Sequence, residues 1–417
     1  MENTDVLIIG AGPSGAVAAA GLLNQGKRVT ILEKEVFPRF VIGESLLPRC
    51  NDILQKVGLH KAVEKCNFMK KGGAVFFRGE TREQFNFTET SHGGWDYSYQ
   101  VPRSEFDKAL ADAAQEKGAD IRYKKEVTGV EFTDDGAIIS YQDTGDKKQE
   151  RIKAKFVLDG SGYGRVLPKL LNLNTPSDLE YRVSIFTHIK NDLRPPDYEE
   201  GYIWIVTLPQ GGWIWVIPFS NGTTSVGVVA LPEVFNQAEG ADDDAKLKSL
   251  LLQEPSLKKR LAQMEFTMPS KKIEGYSIGI KKLCGDRYIL LGNATEFLDP
   301  VFSSGVTLAV ESAYKAQEVV GRFLNGENVD IQKDYADYLS GGVNCFRQYV
   351  KAWYSGELQW LFFYKNKPAA IKDRICSVLA GYAWDKSNSY VTDPGSALLA
   401  ALETLPEEAR FNVAGPS

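Results

Sequence analysis

Several residue types and patterns are scarce or missing in this 417-residue chain. It has only three histidines, His60, His92 and His188, which is little material for a multi-histidine metal centre or a His-centred catalytic triad. Its five cysteines, Cys50, Cys66, Cys284, Cys345 and Cys376, are scattered and form no CxxC pair. That spacing argues against zinc and against a disulfide framework, and it suits a reducing cytoplasm. No metal is expected. No apolar run approaches the roughly 18 residues needed to span a bilayer. The first residues include Glu2 and Asp5 and no basic stretch, so they do not read as a signal peptide. The net charge of −5 comes with no basic block, which makes nucleic acid a poor partner. No internal repeat or low-complexity linker is visible. The remaining composition, 43% hydrophobic and 25% charged, is that of a globular chain long enough for two or three domains.

The most informative segment is the first 34 residues. Asp5-Val-Leu-Ile-Ile-Gly10-Ala11-Gly12-Pro13-Ser14-Gly15 reads as a short apolar strand opening into a glycine-rich turn. A small-residue helix follows over Ala16 to Leu23, then Gly26, then a second strand, Val29-Thr-Ile-Leu, ending in Glu33. A GxGxxG pattern counts as a dinucleotide fingerprint only in this strand–turn–helix–strand setting. Gly10 permits the tight turn, Gly12 lets a pyrophosphate approach the backbone, and Gly15 lets helix and strand pack closely. The helix N-terminus presents free N–H groups and a positive dipole end to the phosphates. Glu33 is placed to accept a ribose hydroxyl, and a carboxylate there disfavours a 2′-phosphate. FAD and NAD both remain open at this point.

Further along, a helix is expected around Leu46–Val57 and another over Arg103–Lys117, after Pro102 and before Gly118. Strands are expected at Gly73-Ala-Val-Phe-Phe, Gln84-Phe-Asn-Phe, Asp120–Tyr123, Glu126–Phe132, Ala137–Tyr141 and Phe156–Gly160. Residues 180–275 read mostly as antiparallel sheet. Its clearest piece is a hairpin, Tyr202–Leu208 and Trp213–Phe219, around Pro209-Gln-Gly-Gly212. A buried strand at Tyr288–Gly292, a long helix at Val306–Leu324 and a largely helical remainder complete the reading. The expected fold is α/β. A discontinuous Rossmann-like nucleotide-binding domain (residues 1–65, 101–175 and 276–330) carries an inserted, mostly antiparallel sheet domain (66–100 and 176–275). A helical region (331–417) follows.

Three later segments favour FAD over NAD. Arg39-Phe-Val-Ile-Gly43-Glu44-Ser45 can bring a loop against the sugar and ribityl chain. Val157-Leu-Asp159-Gly160-Ser-Gly ends a strand in a glycine-rich turn. Leu290-Leu-Gly292-Asn293 leads to Asp299-Pro300-Val-Phe-Ser-Ser304-Gly305-Val306 and a helix whose first N–H groups can hold an anion. In this order and spacing the segments resemble the flavoprotein superfamily of aromatic hydroxylases, geranylgeranyl reductases and FAD-dependent halogenases, over about residues 1–330. The resemblance implies FAD held by Gly10, Ala11, Gly12, Pro13, Ser14, Gly15, Glu33 and Lys34. It adds Arg39, Gly43, Glu44, Ser45, Arg103, Val127, Asp159 and Gly160. It closes the set with Gly292, Asn293, Asp299, Pro300, Ser304, Gly305 and Val306. Asn293 stands where that family usually has Asp; it still hydrogen-bonds a ribityl hydroxyl but lacks the charge.

Two motifs narrow the reaction. Gly212-Trp213-Ile-Trp215-Val-Ile217-Pro218 places Trp213, Trp215 and Ile217 on one face of a strand. By itself this is an ordinary aromatic core strand, but it matches the WxWxIP signature of FAD-dependent halogenases. Phe68-Met-Lys70-Lys71-Gly-Gly73 resembles the halogenase stretch Phe-x-x-Lys-x-Gly. The resemblance makes Lys71 the residue that receives hypohalous acid, held by hydrogen bond or as a haloamine, with Trp213 and Trp215 keeping substrate from the flavin. Lys70 and Lys71 point opposite ways in a strand, so at most one faces the site. Halide is expected near the backbone N–H groups of Ser304 and Gly305. The implied activity uses reduced FAD, O2 and halide on an electron-rich aromatic, phenolic or carrier-tethered substrate. A separate flavin reductase and a carrier protein are the implied partners. A hydroxylase or an ene reductase on a hydrophobic substrate is the alternative. The aromatic stretch Trp353–Tyr364 is expected to pack on the sheet domain; the alternatives are a cover over a lipophilic substrate site or a contact with a carrier protein or membrane surface.

Overall fold

The computed structural model describes residues 1–194 and 201–406. Two eight-stranded sheets organise the chain. The first runs Cys284–Gly285, Tyr288–Leu290, Gln149–Asp159, Glu2–Ile9, Val29–Leu32, Asp120–Arg122, and the hairpin Lys125–Thr133/Gly136–Asp143 attaches to Gln149–Asp159. Its centre is parallel, with Val6 beside Phe156 on one side and Val29 on the other. Parallel strands covered on both faces are buried and mainly apolar, as Val6–Ile9 and, Thr30 apart, Val29–Leu32 are.

The helices Pro13–Asn24 and Ser304–Leu324 lie together on one face of this sheet. Ala16 to Ala20 are all fully buried, because only small side chains allow so close an approach. A Cβ on Gly15 would stand 2.0 Å from the Gly10 carbonyl oxygen, which requires glycine there.

The second sheet runs Glu265–Phe266, Val183–Lys190, Thr224–Ala230, Trp213–Pro218, Tyr202–Thr207, Gly73–Arg78, Thr81–Asn86. Strand alternation sorts its side chains cleanly. Phe186, Ile203, Ile205, Trp213, Trp215 and Ile217 face the nucleotide-binding sheet. Trp204, Val206, Ile214, Val216, Val226 and Val228 face the other way. Three helices, Pro232–Gln237, Asp243–Gln253 and Pro255–Lys258, cover that outer face. These helices interrupt the stretch read as mostly antiparallel sheet. They bury a face that would otherwise be a large exposed apolar surface. Tyr202–Thr207 also pairs in parallel with Gly73–Arg78, joining the two inserted segments.

The C-terminal helices, including Tyr338–Tyr354, Glu357–Phe363 and Ala369–Leu379, pack on the junction of the two parts. Trp353 and Phe362 are buried against Phe76, at 5.6 and 4.9 Å between ring centroids, so this aromatic stretch is core packing. No helix among the described residues is long and apolar enough to cross a membrane.

Candidate active site

A cavity of about 850 Å3 lies between the two sheets, at the carboxyl ends of the parallel strands. Gly10, Gly12, Pro13 and Ser14 form one end, with Glu33, Lys34 and Val127 beside them. Arg39, Gly43, Glu44, Ser45 and Arg103 form a flank, and Gly160, Asn293, Pro300, Gly305 and Val306 form the floor.

The turns are built for close approach. Gly10 has φ +92°, and a Cβ there would stand 2.7 Å from the Gly160 carbonyl oxygen. Gly12 differs: a Cβ on it would meet only side-chain ends, the Arg39 guanidinium at 3.4 Å and Asp107 Oδ2 at 4.0 Å, so its bareness leaves room for a ligand rather than for backbone. No side chain caps the Pro13–Asn24 helix and its first turn holds no acid, so its N–H groups face the cavity free. The Ser304–Leu324 helix begins in the same uncapped way after Ser303 at φ +56°. Arg103 holds Asp107 at 2.7 and 3.0 Å and the Ile42 and Gly43 carbonyl oxygens at 3.2 Å, which fixes the flanking loop. Arg39 reaches the same Asp107 at 3.2 Å.

Glu33 accepts the Ala11 and Glu35 N–H groups at 2.8 and 2.9 Å and still lines the cavity. Glu44 pairs His188 through Oε1 at 2.8 Å. Its Oε2 is buried with no partner among the described residues, an acceptor left over in the cavity wall. Two free helix N-termini, a glycine gap between them, a carboxylate at the end of the second strand and an unused acceptor fit a flavin dinucleotide.

Trp213, Trp215 and Ile217 form one wall together with Ile203 and Ile205 of the neighbouring strand. The Trp213 and Trp215 rings are 5.8 Å apart. The Trp215 indole N–H donates to Ser225 Oγ at 3.0 Å. Tyr276, Phe297 and Tyr163 extend the aromatic lining, at successive centroid distances of 5.5 and 5.3 Å. These three carry no motif, and a single sequence offers no signal for them.

Lys71 is 1% exposed, whereas Lys70 is on the surface beside the Tyr97 ring. Lys71 does not line the large cavity, contrary to its expected place between flavin and substrate. Its Nζ donates to Ser45 Oγ at 2.8 Å and to the Leu46 carbonyl at 3.0 Å. Ser45 does line the cavity, and its hydroxyl is 3.0 Å from Ser303 Oγ. Burial pushes the Lys71 amine down to about 7, with little opposition from neighbouring charge.

Six other expected residues stand outside the wall. Gly15 and Gly292 serve close packing, against Gly10 and against Ala309. Ala11 contributes its N–H to Glu33. Asp159 accepts the Ser161 and Leu167 N–H groups at 2.9 and 2.7 Å, so its carboxylate closes the turn that Gly160 presents. The Ser304 side chain is buried, and its neighbour in the same loop, Ser303, takes its place in the lining. Asp299 is turned away from the cavity toward Tyr354 and Tyr276. Among the described residues no His/Cys/Asp/Glu group could hold a metal ion.

A dinucleotide cleft roofed by an aromatic sheet defines an FAD-dependent oxidoreductase. Residues 3–335 match the FAD binding domain family. The 1H-pyrrole-2-carbonyl-(peptidyl-carrier protein) chlorinase of Pseudomonas fluorescens is 30% identical, over 97% of this chain and 95% of that relative. The crystal structure of a flavoprotein/dehydrogenase from Cytophaga hutchinsonii is similar at TM-score 0.93 and 44% identity, covering 96% of this chain and 98% of that one. The flavin-dependent brominase Bmp2 is similar at TM-score 0.83 and 25% identity, with the same coverage. The chain belongs to this FAD-binding family as a halogenase-like member, and its cofactor is FAD.

Proposed function

We propose that the protein is a flavin-dependent halogenase acting on an electron-rich aromatic ring, phenolic or held on a carrier protein. The observation that carries this reading is the Lys71–Ser45–Ser303 chain. It joins a buried amine to the uncapped helix start at the cavity floor. Similarity to a chlorinase and a brominase supports the same reading, and the chlorinase's carrier-bound pyrrole supports a tethered substrate.

Bound and reduced, FAD supplies the activation of O2 that lets a halide be oxidised to hypohalous acid. The chain's residues divide the remaining work. Free N–H groups at Ser304 and Gly305 attract the halide anion. Trp213, Trp215 and Ile217 keep substrate and bulk water off that end of the cavity. Ser45 offers a hydroxyl along the way out. The neutral amine of Lys71 attacks the halogen of hypohalous acid, forming an N–halogen bond and releasing water. The ring carbon then takes the halogen as an electrophile, the ring loses a proton, and the amine is restored. A separate reductase would supply the reduced flavin, since the chain has one nucleotide fingerprint.

The test is turnover of wild type and Lys71→Met with reduced FAD, O2 and chloride or bromide on phenols and carrier-bound aromatics, read by mass spectrometry. A halide-dependent mass gain that vanishes in Lys71→Met, with FAD still bound, is expected. A hydroxylated or double-bond-reduced product formed without halide would overturn the proposal.

A further inference from the structure

The two tryptophans of the cavity wall are held in different ways. Trp215 is fixed within its own sheet. Its indole bonds Ser225 on the adjacent strand, and its ring lies so tightly over Gly227 that a Cβ there would stand 2.4 Å away. Trp213 is fixed from outside the sheet. Its Nε1–H donates to the Tyr354 hydroxyl at 3.0 Å, on the C-terminal helix Tyr338–Tyr354. Tyr354 in turn donates to Asp299 Oδ2 at 2.7 Å. Tyr276, another lining residue, donates to the same oxygen at 3.1 Å. Asp299 Oδ1 accepts the Val301 N–H at 3.0 Å and so caps the turn Pro300–Phe302, which runs into Ser303 and the anion-binding helix.

The direction of every bond in this chain is fixed. An indole N–H can only donate, so the Tyr354 oxygen must accept from it and pass its own proton toward Asp299. The Arg182 guanidinium lies over the Tyr354 ring, 3.5 Å from its centre, and holds the ring in place. Asp299, Tyr354 and Arg182 border a separate small cavity of about 170 Å3 and do not line the FAD cavity. One buried carboxylate thus gathers the polar edges of two wall residues and the start of the anion loop. Trp213 and Tyr276 themselves line the large cavity.

We propose that Tyr354 and Asp299 are positioning residues: through them the tilt of the Trp213 indole and the placement of the Ser303–Gly305 loop are set together. This rests on the halogenase reading and deepens it. An indole free to tilt opens the barrier between cavity and solvent, and oxidant then escapes as peroxide before it reaches Lys71. The device therefore governs how much of the O2 consumed ends as halogenated product.

Tyr354→Phe in the full chain is the direct test. The first readout needs no turnover. In the FAD-free protein labelled with 15N-tryptophan, the Trp213 indole N–H signal, assigned by its loss in Trp213→Phe, should move upfield in Tyr354→Phe. It should also exchange with solvent about tenfold faster, while the Trp215 signal stays in place. The second readout is the ratio of halogenated product to hydrogen peroxide. It should fall about fivefold, the weight of one lost hydrogen bond, with FAD affinity unchanged. In a Trp213→Phe background, Tyr354→Phe should produce a clearly smaller fall, because one of the two bonds it would break is already gone. Asp299→Asn, which keeps size but removes charge, should move both readouts in the same direction, and it serves if Tyr354→Phe does not fold. An unchanged Trp213 signal overturns the proposal. So does a moved signal with unchanged product ratio, or equal effects of Tyr354→Phe with and without Trp213. Should wild type halogenate nothing, the functional reading fails by itself, and the indole signal still judges the positioning chain.

Discussion

The Lys71 ammonium nitrogen and the Ser45 hydroxyl are 2.8 Å apart, although they come from different parts of the fold. Ser45 belongs to the loop that flanks the nucleotide, and Lys71 to the short strand Met69–Lys71 at the edge of the inserted segment. The two parts of the protein meet at this bond. Ser45→Ala leaves Lys71 with only the Leu46 carbonyl and removes the partner of Ser303. Halogenation should fall about five- to tenfold, as for loss of one or two hydrogen bonds. Product and peroxide yields measured side by side check this.

Lys71→Met replaces the buried amine with a side chain of similar length and no nucleophilic nitrogen. Halogenated product should drop on the order of a hundredfold or more, while bound FAD and O2 consumption persist. Quantitative mass analysis against flavin absorbance separates the two. Equal product from Lys71→Met and wild type would remove the lysine from the chemistry.

Protonation of Lys71 gives a signed pH dependence. With its amine at about 7, halogen transfer should rise as pH rises through that value, because only the neutral amine attacks. Stability follows the same group. From about 7 up to the ordinary lysine value of 10.5, the unfolded chain holds a proton on Lys71 that the folded protein does not. Unfolding free energy from this group therefore increases with pH across that window and is flat below it. Urea unfolding at several pH values should show a shallower slope in Lys71→Met.

Gly15 and Gly12 make opposite predictions for the same substitution. Gly15→Ala drives a Cβ into the Gly10 carbonyl oxygen at 2.0 Å, so stability should fall by about 3 kcal/mol or more. Gly12→Ala meets only side-chain ends, the nearest being the Arg39 guanidinium at 3.4 Å, and has an ordinary φ of −66°. It should fold normally and lose FAD, because the methyl group occupies the approach to the backbone. Thermal melts with and without added FAD distinguish the two; equal melting loss would contradict the contrast.

What was legible in the sequence was local. The opening strand, turn and helix, the hairpin at Trp213 and the single face shared by Trp213, Trp215 and Ile217 follow from periods of two and from turn residues. The opposed directions of Lys70 and Lys71 follow from the same rule. What was illegible depends on partners far apart along the chain. Glu44 meets His188, and Asp299 meets Tyr354, through side chains that carry no local pattern. Asp299 was expected at the cofactor because it follows the cofactor motif, but its neighbours in space claim its carboxylate. The helices over the outer face of the second sheet escaped notice because their short amphipathic turns lie among strong strand signals. The C-terminal aromatics, expected to pack on the sheet domain, do so against Phe76 and Phe85.

The strand order of the first sheet has a consequence for biosynthesis. Glu2–Ile9, which precedes every other strand of the sheet along the sequence, sits at its centre, beside Gln149–Asp159. That strand is in turn flanked by Tyr288–Leu290, and the helix at the cavity floor begins only at Ser304. A nascent chain shorter than this presents a phosphate turn with no floor beneath it. Cofactor capture is therefore a late event in the life of each molecule, and apoprotein released before it must survive with its central cleft open.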